Sequence, residues 1–298
     1  MEVGRPNHAF VKTENIIESP RVFQNLLKLA YDLQEFNILL NLSDITTLKV
    51  CLLIPCYNEE KGVGMVIDNL PISLLQESNY TVEVIVIDNN SMDRTAEVAA
   101  SRGATVLHES KQGKGCAVIT GFQSVPEDAD YVVMIDGDGT YDIREILRLL
   151  EPLEHNFADV VVGTRLLGKV DSDSMKGLNR LGNWFFTFLA RIAYKTNVTD
   201  VCSGFFAWKR EVVKDLAQYL ESNGFSIEME MIVKMARMNY DSCSVPISYH
   251  PRAGSSSLRP IYDGFLILRT WLRYLHWKPK KKKTIKITPP MLTPHIHS

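Results

Sequence analysis

Tyr131-Val132-Val133-Met134-Ile135-Asp136-Gly137-Asp138-Gly139-Thr140-Tyr141 is the stretch from which the rest of the chain can be ordered. Four consecutive apolar residues, Val132 to Ile135, predict a buried strand, because the run is too short for a free-standing helix. The strand runs into Asp136 and Asp138, interleaved with Gly137 and Gly139, which let the backbone turn and a ligand come close. Two carboxylates on a short glycine turn make a hard-cation site that keeps open positions for phosphate oxygens. The plainer reading of the segment alone is an acidic surface turn, since Asp-Gly is common turn chemistry. A calcium EF-hand is excluded: its sixth position is Tyr141 instead of glycine, and its twelfth is Leu147 instead of glutamate.

Working outward, the same alternation repeats. Val50 to Ile54 reads as a strand that Pro55 ends at Cys56-Tyr57-Asn58-Glu59-Glu60, with a helix over 61–75. Val82 to Ile87 is a second strand, closing on Asp88-Asn89-Asn90-Ser91, with Ser91 as N-cap of the helix after it. A short strand, 105–107, leads to Gly113-Lys114-Gly115 and a helix to about Ser124. After the Asp-Gly-Asp-Gly turn come a helix over 143–153, a strand over 159–162 and then Gly163-Thr164-Arg165. Strands alternating with helices predict an α/β fold, a mostly parallel sheet flanked by helices on both faces. In such sheets ligands bind outside the carboxyl ends of the strands. Asn58, Glu59, Asp88, Lys114, Asp136 and Asp138 all follow strand ends on that edge, which describes a nucleotide-phosphate site with metal. Lys114 sits at a helix start, where backbone N–H groups, the helix dipole and its ammonium would together suit a diphosphate. There is no P-loop, and no GxGxxG follows the first strand, so a dehydrogenase is disfavoured.

The second half is less regular. Leu178 to Tyr194 reads as an aromatic-rich helix with a polar corner at Arg180, Asn183 and Arg191, too short and too charged to span a bilayer. Asp200 to Phe206 enters a strand, with a helix from about Glu211; Glu228 and Glu230 open a further helix. A strand over 245–249 precedes a polar loop, Pro251-Arg252-Ala253-Gly254 and Ser255 to Ser257. Residues 261–277 carry apolar side chains at helical spacing with Trp271, Tyr274 and Trp277, followed by lysines at 278 and 280–283. That pattern predicts a helix lying in an anionic membrane surface, or a packed final helix with a solvated basic tail.

The expected organisation is a helical extension over 1–48, a catalytic domain over 49–260, a membrane-surface helix and basic segment over 261–283, and a disordered tail over 284–298. The 298 residues, 45% hydrophobic and 23% charged, provide ample core. A net charge of −2 argues against nucleic acid as partner. Five cysteines, with no CxxC, predict a reducing compartment, with Cys51, Cys202 and Cys243 as small buried residues. The polar start does not read as a secretory signal, and no apolar run is long enough to cross a bilayer.

The ordered set of motifs resembles family 2 glycosyltransferases of the GT-A (Rossmann-like nucleotide-diphospho-sugar transferase) fold, on the polyprenyl-phosphate branch that includes dolichyl-phosphate mannose and glucose synthases. The likeness covers about 50–275 and rests on 54–60, 87–95, Gly113-Lys114-Gly115, 136–141, Gly163-Thr164-Arg165, Ser203-Gly204-Phe205 and Arg252-Ala253-Gly254-Ser255. The form of 136–141 is most similar to archaeal enzymes that load lipid carriers for N-glycosylation. The resemblance implies that Pro55, Tyr57, Asn58, Glu59, Asp88 and Asn90 line the nucleotide pocket, with Lys114 and Gly137 beside the donor. It implies that Asp136 and Asp138 bind Mg²⁺ or Mn²⁺ with the donor diphosphate. Arg165, Arg180, Asn183, Arg252 and Ser256 would hold the acceptor phosphate, and Asp200 or Glu228 would orient the sugar. Two departures remove charge from the acceptor side: Phe206 stands where mannose synthases have arginine, and Gly254 to Leu258 lacks their Glu and Lys.

The implied activity is inverting transfer of a hexose, glucose or N-acetylglucosamine from a UDP-sugar, to dolichyl or polyprenyl phosphate. The chain would lie peripherally on the inner face of the cell membrane. The alternatives are a GDP-mannose donor, a soluble saccharide acceptor, a nucleotidyltransferase, and a non-catalytic nucleotide-sugar binder.

Overall fold

A computed structural model of the chain describes Lys28 and residues 47–171, 174–252, 254 and 257–279. The expected N-terminal extension apart from Lys28, the lysines at 280–283, the tail and Ser256 lie outside the described residues. By its contacts the chain divides into units 1–47 and 48–298, and the elements described below all belong to the second.

The centre of that unit is a seven-stranded sheet of order β3-β2-β1-β4-β6-β5-β7. The strands are β1 (Leu48–Cys56), β2 (Tyr80–Asp88), β3 (Thr105–His108), β4 (Tyr131–Ile135), β5 (Val160–Val170), β6 (Phe205–Lys209) and β7 (Ser242–Tyr249). Pairing is parallel except at β6, which runs antiparallel to both β4 and β5. This is the mostly parallel, helix-flanked sheet that the alternation predicts. The reversal of β6 has a consequence for the site: the start of β6, with Ser203 and Gly204 just before it, lies at the carboxyl ends of β4 and β1.

The strands carry apolar side chains on both sides, because both faces are covered. Leu53, Ile87, Val132, Met134 and Trp208 pack on one face. Leu52, Ile54, Val133, Ile135 and Phe205 pack on the other, against Leu149, Leu150 and Leu153. The helices are α1 (Glu60–Asp68), α2 (Ile72–Glu77), α3 (Thr95–Ser101), α4 (Lys114–Gln123), α5 (Ile146–Glu154), α6 (Gly177–Tyr194), α7 (Arg210–Leu216), α8 (Ile227–Arg237) and α9 (Pro260–Arg273). α9 packs against α6 and α8.

Several expectations need correction. The helix over 61–75 is two, α1 and α2, separated at Leu70-Pro71, where proline removes an N–H and turns the preceding residue away from helix. β5 does not stop at Val162 but runs to Val170 on the support of β7, so Arg165 lies within a strand. α9 ends at Arg273 instead of Trp277. Ser91 caps no helix; its hydroxyl accepts the Asn58 N–H at 3.0 Å, and α3 begins at Thr95. Cys202 and Cys243 are half-buried, while all five cysteines are free thiols.

Candidate active site

At the carboxyl edge of β1 and β4, acids outnumber bases. Asp136 and Glu228 both bind the Lys114 ammonium, at 2.8 and 2.6 Å. Arg252 bridges Glu59 and Asp138, at 2.8 Å from the latter. Asp138 also accepts the Thr140 N–H at 3.0 Å and the Thr140 hydroxyl at 2.6 Å. Four carboxylates thus share two cations.

Burial, with neighbouring carboxylates second to it, shows in the protonation of three of them. Burial pushes the Glu59 carboxyl up to about 7, with Asp138 and Asp136 adding to the shift and Arg252 opposing it. Burial likewise raises Asp136, against the pull of Lys114 and with the push of Asp138. Glu228 is raised by burial, with Lys114 opposing and Asp136 reinforcing. Lys114 responds in kind: burial favours the neutral amine, but Asp136 and Glu228 outweigh it and hold the ammonium charged. Three raised acids gather at one edge, with burial the main cause and neighbouring carboxylates adding to it.

A cavity of about 340 Å³ opens here, lined by Pro55, Tyr57, Glu59, Lys114, Asp136 and Asp138. Arg252 and Arg259, from the segment between β7 and α9, line it as well. The volume is at the lower end of the range for small-molecule clefts. Gly204 makes Asp136 possible, since a Cβ there would lie 2.1 Å from its Oδ2.

Some expected residues have other work. The amide cradle predicted at the start of α4 is already occupied. Gly113 N–H donates to Asn89 Oδ1 at 2.7 Å, and the Gly115 and Cys116 N–H groups donate to the Asn223 carbonyl at 2.9 and 3.3 Å. Gly115 is there for chain packing: a Cβ would meet the Ser222 carbonyl oxygen at 1.9 Å. Lys114 itself does reach the cavity. Asn58 accepts the Met92 N–H through its side chain, and Asn90 is exposed. Asp88 is buried and pairs with His108 at 3.2 Å; it is not among the cavity's lining residues.

A second charged cluster is closed. Arg165 reaches Asp200 through Nε and through an η nitrogen, each at 2.8 Å, and adds a bond to the Cys202 carbonyl at 2.6 Å. Asn183 donates to Asp200 at 2.7 Å and accepts the Cys202 N–H at 3.2 Å. Asp200 is wholly buried. Burial pushes its carboxyl up, but Arg165 and the hydrogen bonds win and hold it below the usual range. Arg165, Asn183 and Asp200 therefore satisfy one another, whereas Arg180 is exposed on α6. None of these four lines the cavity.

Asn89, Gln112, Phe225 and Arg259 also line the cavity; none was singled out as a site residue, although Asn89 lies within the 87–95 motif. Asn89 lies just beyond β2 and ties down the loop before α4, donating to the carbonyls of Glu109 and Lys111 at 3.2 and 2.8 Å. Its place in that motif, beside Asp88, was the available signal.

The chain matches the glycosyl transferase family 2 domain over residues 51–217, from β1 through α7. It is 36% identical over 220 residues to glycosyltransferase AglJ of Haloferax volcanii, covering 73% of this chain and 69% of the relative. A dolichyl-phosphate hexose transferase of the same organism is 32% identical over 211 residues, covering 71% and 87%. Glucosyl-3-phosphoglycerate synthase from Mycobacterium tuberculosis, solved with Mn²⁺, UDP-glucose and phosphoglyceric acid, superposes with a TM-score of 0.59 at 21% identity, covering 76% of this chain and 80% of that one. An acid-rich edge on a GT-A sheet and a domain match over more than half the chain lead to one conclusion: the protein belongs to glycosyl transferase family 2 and is a glycosyltransferase.

Proposed function

We propose that the protein transfers a hexose, glucose or N-acetylglucosamine, from a UDP-sugar to dolichyl or another polyprenyl phosphate, with inversion at the anomeric carbon. The product would be a lipid-monophosphate sugar for protein N-glycosylation, made at the inner face of the cell membrane. In this reading residues 49–260 carry the chemistry and 261–283 contact the membrane. The observation that carries it is one cavity whose lining combines the carboxylates Glu59, Asp136 and Asp138 with Lys114, Arg252 and Arg259. A relative that bears the name dolichyl-phosphate hexose transferase supports the choice of acceptor.

The donor set fits a divalent ion. Among the described residues no three His, Cys, Asp or Glu side chains converge as a complete metal cage. Asp136 and Asp138 instead offer hard oxygens on one turn, in a cluster where four carboxylates share two cations, so diphosphate oxygens would complete the shell. Bound there, Mg²⁺ or Mn²⁺ would neutralise charge on the leaving nucleoside diphosphate. Lys114 holds Asp136 and Glu228 apart and in place. Arg259 suits an acceptor phosphate, because a guanidinium donates two parallel hydrogen bonds to it, and Arg252 would join it by giving up Asp138 and Glu59. Such a phosphate is already ionised at neutral pH, so the reaction needs no strong general base. Asp200, buried and doubly bonded by Arg165, takes no proton from the acceptor.

The test is a radiolabelled donor screen with purified protein, Mn²⁺ or Mg²⁺ and dolichyl phosphate in detergent. UDP-glucose, UDP-N-acetylglucosamine and GDP-mannose are offered in parallel. Label should enter the organic phase from a UDP-sugar and vanish in Asp138→Ala. Label only in a soluble saccharide, or only from GDP-mannose, would overturn the acceptor or the donor.

A further inference from the structure

Glu228 and Glu230 read alike in the sequence, as acids suited to the start of a helix. The structure gives them separate work. Glu228 binds the Lys114 ammonium, while Glu230 is wholly buried and lies outside the cavity lining. The Glu230 carboxylate accepts the Ser222 N–H at 2.7 Å and the Glu221 N–H at 3.0 Å. The Tyr274 hydroxyl, just past the end of α9, donates to it at 2.8 Å. Lys234, one turn along α8 and equally buried, supplies the balancing charge and also donates to the Tyr219 carbonyl. Burial pushes the Glu230 carboxyl up, but Lys234 and the Ser222 bond outweigh it and hold it below the usual range. A charged carboxylate that takes two consecutive backbone N–H groups, away from water, fixes the chain that carries them.

That chain is the turn over 221–224, and it grips the start of α4. Its Asn223 carbonyl accepts the Gly115 and Cys116 N–H groups. Both glycines that flank Lys114 lie against it. A Cβ on Gly113 would be 2.2 Å from the Asn223 carbonyl oxygen, and one on Gly115 would be 1.9 Å from that of Ser222. Gly113 also has a φ of 136°, which favours glycine. With no side chain between them, the backbone at Lys114 follows the turn directly. From there the Lys114 ammonium spans Asp136 and Glu228, at 2.8 and 2.6 Å. α8 therefore reaches Lys114 twice, directly through Glu228 and through the turn by way of Glu230.

We infer that Glu230 is a positioning residue for sugar transfer: by fixing the 221–224 turn it seats the start of α4, and so holds the Lys114 ammonium between Asp136 and Glu228. A buried ion pair is often replaceable by apolar groups at little loss of stability, so stability alone does not call for charge here. The bonds to the turn give this pair a use that apolar groups would not supply. A displacement of about 1 Å at a reacting group costs on the order of a hundredfold in rate, which is why a residue outside the cavity can matter to the reaction. This role rests on the proposed transfer reaction for its kinetic consequence, whereas the seating of α4 belongs to the protein alone.

The experiment compares the full chain with Glu230→Leu, Lys234→Met and the two combined. Each is measured for melting temperature, for hydrogen exchange of the segment over 113–116, and for transfer from a UDP-sugar to dolichyl phosphate in detergent. Removing one partner strands the other in the interior, so both single variants should melt below wild type, and the double variant should melt above Glu230→Leu. Transfer should follow Glu230 instead. In Glu230→Leu kcat should fall about tenfold or more, with the donor KM changed by less than about threefold, and it should stay as low in the double variant. Lys234→Met, which keeps the carboxylate on the turn, should stay within about threefold of wild type in kcat. Glu230→Gln, which keeps an oxygen for the Ser222 N–H, should recover part of the loss. The Gly115 and Cys116 amides should exchange about tenfold faster in the double variant than in wild type. Transfer that returns with stability in the double variant makes the pair structural only and overturns the role, as does exchange over 113–116 equal to wild type. A wild type that transfers no sugar to dolichyl phosphate fails the proposed reaction, and the exchange comparison then decides the seating of α4 by itself.

Discussion

Two charged clusters lie along the same sheet edge and behave in opposite ways. Around Asp136 and Asp138, four carboxylates share Lys114 and Arg252, Glu59, Asp136 and Glu228 are raised, and a cavity opens beside them. Around Asp200, one carboxylate meets one guanidinium, hydrogen bonds use the remaining atoms, and the acid is lowered. The residue types are the same; the balance of charge differs. A balanced buried pair is structure, because breaking it leaves a bare charge inside. An unbalanced one is a receptor for whatever restores neutrality.

The largest effect that would break this contrast is on stability. Asp200→Ala should cost about 3–5 kcal/mol in urea unfolding, since Arg165 would stay buried without its partner. Asp136→Asn, removing an acid from the overloaded cluster, should cost far less or stabilise. Equal losses would erase the distinction. On activity the order reverses: Asp138→Asn should fold normally yet lower transfer by about 10²–10³-fold, the scale of removing a group that stabilises a charged transition state.

Gly115→Ala comes next. Its Cβ would strike the Ser222 carbonyl, so overpacking of about 1–3 kcal/mol is expected, read as a lower melting temperature with the fold intact.

The clusters also carry opposite pH signs. Glu59 holds its proton up to about 7, against an ordinary 4.5, so between those values the folded chain keeps a proton that the unfolded chain has lost. Its contribution to stability therefore falls as pH rises through that window, and Glu59→Gln should flatten the decline in urea midpoint between pH 5 and pH 8. Asp200, lowered, contributes stability above its ordinary 3.8 that is lost only as pH falls below it. The smallest effect is at Arg180: exposed on α6, its alanine variant should fall within about 0.5 kcal/mol of wild type in stability.

What the sequence disclosed obeys locality. The strands were readable because doubly covered strands are continuous apolar runs, and the carboxyl-edge rule gathered Glu59, Lys114, Asp136 and Asp138, which line the cavity, together with Asn58 and Asp88, which do not. The antiparallel turn of β6 was not readable, being fixed by pairings between β6 and distant strands. The α4 cradle was misread for the same reason, since Asn223 fills it from more than a hundred residues away. Periodicity gave α6 two faces but not which one meets solvent; that depended on Asp200 needing Asn183.

The central claim is that the carboxylate-rich cluster receives a divalent ion together with a nucleoside diphosphate. Calorimetric titration of UDP into the full chain, with Mn²⁺ and then with EDTA, tests it most directly. One UDP should bind per chain with Mn²⁺, binding should weaken by about tenfold or more in EDTA, and that difference should vanish in Asp138→Asn. UDP binding of equal strength with and without the ion would contradict it.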